Sequence, residues 1–156
     1  LPRLKEYFLN IGQAKVSTSG QEAFELGYLR KGVDSISINS EKLIQDAKEK
    51  VILLDNLGYT KPIKRKDIKV LGNQALGMFL VGADSFKEGD YITEHEKLMS
   101  EKLAYVLCGG NLSSPTFVSE QYLLDLEREA FLSLCGEAKT LERIKYMLEK
   151  GKPLRN

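Results

Sequence analysis

Helix start and stop signals recur along the whole chain. A hydroxyl residue is followed three positions later by a glutamate at Ser19 and Glu22 and again at Thr93 and Glu96. In this capping box the hydroxyl caps one backbone amide of the first turn, and the carboxylate reaches back to another. Glycines end the apolar periodicity of several segments, where a left-handed residue closes a helix: Gly12, Gly27, Gly58, Gly109 and Gly151. Start and stop signals at this spacing predict a succession of short helices.

The apolar spacing between these signals predicts an all-α, or mainly α, fold of six or seven helices. The predicted helices are 4–12, 20–26, 39–58 beginning at Asn39 or Ser40, 73–87 capped by Asn73, 93–109, 119–135 capped by Ser119, and a last helix to Gly151 that begins at Thr140 or just before it. Polar and apolar residues alternate in Ser35–Ile38, which indicates at most one short extended stretch.

Three of these helices carry a prediction about burial. Residues 73–87 are apolar nearly all round, which predicts burial on several sides. Residues 119–135 carry two apolar rows, which predicts a central helix. In the last helix, Leu141, Ile144 and Leu148 share one face, which predicts that they point inward.

Composition is that of an ordinary globular chain, with 42% hydrophobic and 29% charged residues. Because 23 Lys and Arg oppose 22 Asp and Glu, no overall field favours nucleic acid or an anionic membrane. No apolar run approaches the roughly 20 residues that cross a bilayer. Two distant cysteines, Cys108 and Cys135, are expected as core residues of a cytoplasmic protein.

The basic segment, defined here as residues 61–69, provides the plausible internal boundary. We expect a first helical segment over 1–60, a basic linker or loop over 61–72 and a helical bundle over 73–156, together forming one compact unit. The basic segment contains Lys61, Lys64, Arg65, Lys66 and Lys69.

Reactive groups are scarce in the sequence. His95 is the single histidine, and Met99 stands where a zinc-binding helix would carry its second histidine. We therefore predict no metal site and an exposed His95 in a first helical turn. The neighbouring acids Glu127 and Glu129 do not face one another on a helix and are poor candidates for a general acid and base. A small hydrolase that uses a serine, His95 and an acid is the weakest alternative.

Two parts of the chain resemble known enzymes. The run Glu22-Ala23-x-Glu25-Leu26-Gly27-Tyr28-Leu29-Arg30 is similar to the segment that follows the catalytic part of the crotonase, or enoyl-CoA hydratase/isomerase, superfamily. Residues 93–96, 102–110, 124–131 and 147–156 resemble the C-terminal end of bacterial bifunctional fatty-acid β-oxidation proteins. In that family an N-terminal 3-hydroxyacyl-CoA dehydrogenase precedes an enoyl-CoA hydratase half. Residues 60–89 match neither pattern.

The resemblance implies a helical C-terminal part of a crotonase-like fold, with a parent that uses NAD and acyl-CoA. The family's catalytic and NAD-binding residues would lie N-terminal to Leu1, so we expect the chain to be cut from a longer protein. This chain would have no catalytic residue and no cofactor of its own. Its partners would be the upstream dehydrogenase and crotonase core of the same polypeptide. Its roles would be to pack against that core, to form a wall of the acyl-CoA site and to make subunit contacts.

One further expectation depends on that resemblance, and an alternative function does not. Lys64, Arg65 and Lys66 are the candidates for contact with the CoA phosphates, because their charges lie together in the basic segment. The alternative function, from a different class, is an independent helical module for protein interaction or oligomerisation, in which the apolar helix at 73–87 would bind a partner or a second copy by self-association.

Overall fold

The computed structural model describes residues 1–156 and is mainly α-helical, which confirms the predicted fold class. Seven α-helices and two short strands follow in the order α1 (Pro2–Gly12), α2 (Gly20–Glu25), α3 (Leu43–Asn56), β1 (Ile68–Val70), α4 (Gly72–Glu88), α5 (Glu94–Cys108), β2 (Thr116–Val118), α6 (Glu120–Cys135) and α7 (Ala138–Lys150). A 3-10 turn, Ser40–Lys42, leads into α3. No helix combines the length and the apolar character that crossing a membrane requires.

The predicted caps largely form. At the start of α5, Thr93 Oγ1 accepts a hydrogen bond from the Glu96 N–H at 3.2 Å, and Glu96 Oε2 accepts one from the Thr93 N–H at 2.8 Å. Ser19 Oγ accepts from the Glu22 N–H at 3.1 Å, but the Glu22 carboxylate binds the Thr18 N–H instead of that of Ser19. The stops at Gly27, Gly58, Gly109 and Gly151 all adopt positive φ, which costs glycine least.

The beginning of α4 differs from the prediction, whereas α7 begins just before Thr140, as predicted. Asn73 does not cap α4, which begins one residue earlier at Gly72 without a side-chain cap. The Asn73 N–H instead donates to the Leu112 carbonyl at 2.7 Å, so a tertiary contact satisfies it. The last helix begins at Ala138 after Glu137, which brings Thr140 inside the helix.

The extended structure lies elsewhere than predicted. Residues 35–38 form no strand, and the sheet consists of β1 and β2, which pair antiparallel with Ile68 opposite Val118 and Val70 opposite Thr116. Each strand has only three residues, which is too short for alternation to be recognised in the sequence.

The chain divides into two compact units, residues 1–13 with 64–156 and residues 14–63. In the first unit, α4 packs along α5, and α1 and α6 also contact α5. Its core contains Ala75, Leu76, Phe79, Ala104 and Cys108. The ring centroids of Phe8 and Phe79 lie 4.6 Å apart, which fastens α1 to this core. The predicted functional partition into 1–60, 61–72 and 73–156 stays a prediction.

The second unit has very little core. Ala23, in α2, is its one buried residue, while the large aliphatic side chains of α3 are mostly exposed. Local hydrogen bonds hold its turns: Tyr28 Oη donates to the Lys15 carbonyl at 2.5 Å, and Asn39 Oδ1 accepts from the Glu41 N–H at 3.0 Å. The unit is therefore shaped more by caps and turns than by apolar burial.

The predictions about burial are wrong for three helices. In α4, for which burial on several sides was predicted, one face is buried but Val81 is 65% exposed on another face. In α6 only Leu126 and Ala130 are buried, and in α7 Leu141, Ile144 and Leu148 are all exposed. Part of the apolar surface of these helices is therefore left uncovered by the other helices of the first unit.

Candidate functional site

The basic segment is exposed and partly neutralised. Arg65 Nε lies 3.0 Å from Asp67 Oδ1, and its Nη2 donates to Asp67 Oδ2 at 3.3 Å. The hydrogen bonds and the opposite charge raise the pKa of Arg65 and lower the pKa of Asp67. The Arg65 carbonyl accepts from the Glu120 N–H at 3.0 Å, which places the segment at the start of α6.

Lys64 and Lys66 form no ion pair and are exposed. The three candidate residues therefore lie next to one another along the backbone, but they are not enclosed in a pocket. Two of their three charges remain free for an anionic ligand.

His95 is the best organised titratable group of the first unit. It lies in the first turn of α5, is only 5% exposed, and has its Nε2 3.0 Å from Thr140 Oγ1 of α7. The prediction of an exposed histidine is wrong. The reason is a tertiary contact that the sequence does not reveal, since Thr140, in the first turn of α7, lies against the imidazole ring.

The surroundings of His95 favour its neutral form. Burial lowers the pKa of His95, and the positive charges of Arg143 and Lys139 lower it further, against smaller opposing effects of Glu137 and Glu96. Beside the ring lies a shallow cleft of about 330 Å³, lined by Glu94, His95, Lys97, Leu98, Glu101, Glu137 and Lys139.

Next to His95 is a polar group that we name the Glu96 cluster: Glu96, Arg143, Arg155 and Asn156. Glu96 Oε2 accepts from Arg155 Nε at 3.3 Å, and its Oε1 lies 3.6 Å from Arg143 Nη2. Arg143 Nε donates to Asn156 Oδ1 at 2.7 Å. Burial raises the pKa of Glu96, but the Thr93 N–H and the two guanidinium groups outweigh that effect, so the pKa is lowered.

These groups fit a structural role better than a catalytic one. A hydroxyl 3.0 Å from a histidine nitrogen has the spacing of a nucleophile and its base, but His95 has no hydrogen-bonded carboxylate to orient it. Glu96 is occupied by its capping bond and two arginines. The cluster therefore joins α5, α7 and residues 155–156.

The remaining candidates for chemistry do not form a reactive centre. Burial raises the pKa of the Cys108 thiol to about 11, so the thiol is protonated near neutral pH. No three His, Cys, Asp or Glu side chains are grouped as ligands of a metal ion.

The glycines do not fit the diphosphate of NAD. Gly109 and Gly110 follow the C-terminal end of α5, where the helix dipole is negative. A Cβ built on Gly109 would lie 2.6 Å from Val70 Cγ2, so packing against β1 uses the space that the missing side chain leaves. These two glycines thus form no cradle for a diphosphate.

The chain is 48% identical over 149 residues to a probable 3-hydroxyacyl-CoA dehydrogenase from Bacillus subtilis (strain 168). The match covers 96% of this chain but only 19% of that protein, so the chain is similar to a fragment of a dehydrogenase. No protein-family profile matches the chain. No solved structure matches it either.

Proposed function

We propose that this chain is a helical, non-catalytic portion of a 3-hydroxyacyl-CoA dehydrogenase. The observation that carries the proposal is the 48% identity, which extends over almost the whole chain and spans about a fifth of the Bacillus subtilis protein. The chemistry of such an enzyme then belongs to the other four-fifths. Within this chain the residues act by packing.

The side chains support a packing role. His95 and Glu96 are engaged in contacts between helices, and Cys108 is buried and protonated. Large apolar side chains remain exposed on α3, α4, α6 and α7, more than an isolated helical domain needs to leave in water. A larger protein would supply surfaces to cover some of them.

The finer proposal is that the parent joins its dehydrogenase to an enoyl-CoA hydratase half and that this chain is its C-terminal part. The crotonase-like run from Glu22 to Arg30 and the pattern of residues 93–156 support it. NAD would then bind in a Rossmann domain upstream of this chain. The chain would pack against the crotonase core, form part of the acyl-CoA wall and contribute to subunit contacts in a cytoplasmic enzyme of fatty-acid β-oxidation.

A chimera tests this function. The stretch of the Bacillus subtilis protein that matches this chain is replaced by residues 1–156, and a second variant of that protein lacks the stretch. NADH formation from a 3-hydroxyacyl-CoA is compared with that of the unaltered protein, and hydration of an enoyl-CoA tests the finer proposal. We expect the chimera to retain both activities within about tenfold and the deletion to lose them. Full activity without the stretch would contradict the proposal.

We further propose that Lys64, Arg65 and Lys66 contact the phosphates of CoA. Support comes from their exposure and from the two lysines that lack ion pairs. Replacing all three by Gln in the chimera is expected to raise KM for the acyl-CoA with little change in kcat. The matched control replaces Lys145, Lys150 and Lys152 by Gln, which removes the same charge from another exposed surface. Equal KM values for both variants would exclude the phosphate contact.

The alternative function is an independent helical module for interaction or oligomerisation. The exposed apolar row of α7 favours it, because Leu141, Ile144 and Leu148 share one face of that helix and are all exposed. Sedimentation of the isolated chain distinguishes the two functions. A stable oligomer of fixed size that does not change when the truncated Bacillus subtilis protein is added would favour the module.

A further inference from the structure

The apolar face of α3 belongs to the unit with the least core. We define this face as Leu43, Ile44, Ala47, Val51 and Ile52, which line one shallow, almost wholly apolar groove along the helix. Its large members are between 57% and 72% exposed. Lys48 also lines the groove, whereas Gln45 and Glu49 do not, and Gln45 Nε2 donates to Glu49 Oε1 at 2.9 Å. The apolar face of α3 is thus largely uncovered.

Burial contributes little to the stability of α3, since Leu54 is the one half-buried residue of the helix and the others are exposed. Ala23 is the one buried residue of this unit, and the element that contacts α3 most is the short turn Ser40–Lys42. A helix of 14 residues, about 21 Å long, is marginal in water without tertiary packing. The unit as it stands lacks the surface that would complete it.

We infer that the apolar face of α3 docks against the part of the parent polypeptide that lies outside this chain. The inference depends on the proposed function. The chain spans only 19% of its relative, so about four-fifths of such a protein is available to supply the opposing surface.

A second copy fits this face less well. Four large aliphatic side chains offer on the order of a few hundred Å², well below the roughly 800 Å² per partner that a specific interface between separate proteins needs. A partner in the same polypeptide requires less area, because the covalent connection removes most of the translational cost of association. The occupant is therefore a segment in cis.

Cysteine labelling tests the docking directly. Val51→Cys and, as the matched control outside the groove, Gln45→Cys are made in a Cys135→Ser background, and Cys108 is buried and reacts slowly. Labelling by a maleimide is timed in the isolated chain and in the chimera described above. We expect Val51→Cys to react at least tenfold more slowly in the chimera, whereas Gln45→Cys reacts at similar rates in both.

Each other outcome has a defined meaning. Equal rates for Val51→Cys in an active chimera would overturn the docking while leaving the proposed function intact. An inactive, unfolded chimera would instead count against the proposed function. If labelling of Val51→Cys in the isolated chain becomes slower as the protein concentration rises, a second copy covers the face. If labelling is slow at every dilution, another part of this chain covers it. Either result would overturn the inference.

Substitution by a charge provides an independent measurement. Val51→Asp in the chimera places a carboxylate in the docked face, and Gln45→Asp adds the same charge outside that face. We expect the first to lower the melting temperature by about 5 °C or more and the second to change it little. Equal shifts for the two variants would contradict the inference.

Discussion

His95 lies where the first turn of α5 meets α7, with Thr140 on one side and the cations of Lys139 and Arg143 nearby. Its burial removes water that would otherwise stabilise an imidazolium ion. Since it is the single histidine of the chain, its titration can be observed without interference from another imidazole. Its environment makes it a neutral hydrogen-bonding residue in the folded state.

The free energy of unfolding should therefore depend on pH through the titration of His95. The pKa of His95 is lowered in the folded chain from 6.5, so its contribution is fully present above pH 6.5 and is lost as the pH falls below that value. His95→Gln keeps a partner for Thr140 but cannot titrate. Between pH 7 and pH 5 we expect the melting temperature of the unaltered chain to fall more steeply than that of His95→Gln.

The carboxylates provide the internal control for that measurement. Glu22, Asp34, Asp67 and Glu96 have pKa values lowered from 4.5 or 3.8, so their contributions are lost only in more acidic solution. Both proteins should lose stability in parallel below pH 4.5. Identical profiles from pH 7 to pH 5 would show that His95 is not buried in its neutral form.

Gly72 is a second residue whose backbone has a measurable consequence. Its φ is +65°, and a Cβ there would lie 2.5 Å from the Leu112 carbonyl oxygen. Gly151 has a similar φ of +63° but nothing within 4 Å. We expect Gly151→Ala to cost about 1 kcal/mol from backbone strain alone and Gly72→Ala at least about twice as much. Urea unfolding of both variants tests this, and equal losses would be inconsistent with the contact.

At the scale of elements, local signals proved sufficient for most helix boundaries. Thr93 with Glu96, Ser119, and the glycines at 58, 109 and 151 act within one helical turn, so the sequence could predict α3, α5, α6 and the end of α7. The start of α4 depends on the distant carbonyl of Leu112, and the partner of His95 depends on how α7 faces α5. Such contacts between distant residues leave no periodic pattern.

The candidate basic residues show the same limit. Their charge was evident from the sequence, but the pairing of Arg65 with Asp67 and the bond from Glu120 depend on the path of the backbone before β1. The exposed rows of α6 and α7 were predicted inward because periodicity identifies an apolar face but cannot identify what covers it.

The Glu96 cluster makes a prediction about the joining of α5 to α7. Glu96→Gln keeps an oxygen for the Thr93 N–H but removes the charge that faces Arg143 and Arg155. We expect a loss of about 1 kcal/mol, reduced by added salt, because the glutamate and Arg143 are only partly exposed. Glu88→Gln, in an exposed pair with Lys87, is the control and should change stability little.

A thermodynamic cycle identifies the source of that loss. In an Arg155→Ala background the effect of Glu96→Gln should be smaller, since one of its two cationic partners is already absent. An undiminished effect would indicate that the ion pair with Arg155 does not contribute to the loss.

For the whole molecule, the two units should differ in stability. Residues 1–13 with 64–156 bury a core that includes Phe79 and Ala104, while residues 14–63 bury Ala23 alone. In the isolated chain we expect amides of α3 to exchange with solvent much faster than those of α5, because local opening of α3 exposes little additional apolar surface. Similar protection of both helices would indicate a partner for α3 within the chain or in a second copy.

We propose that this chain contributes packing, and no reacting group, to a dehydrogenase. The direct measurement is NADH formation by the purified chain with a 3-hydroxyacyl-CoA and NAD, in parallel with the chimera under the same conditions. We expect no turnover above buffer for the chain alone and measurable turnover for the chimera. Turnover by residues 1–156 alone, abolished by a substitution within them such as His95→Gln, would contradict the claim.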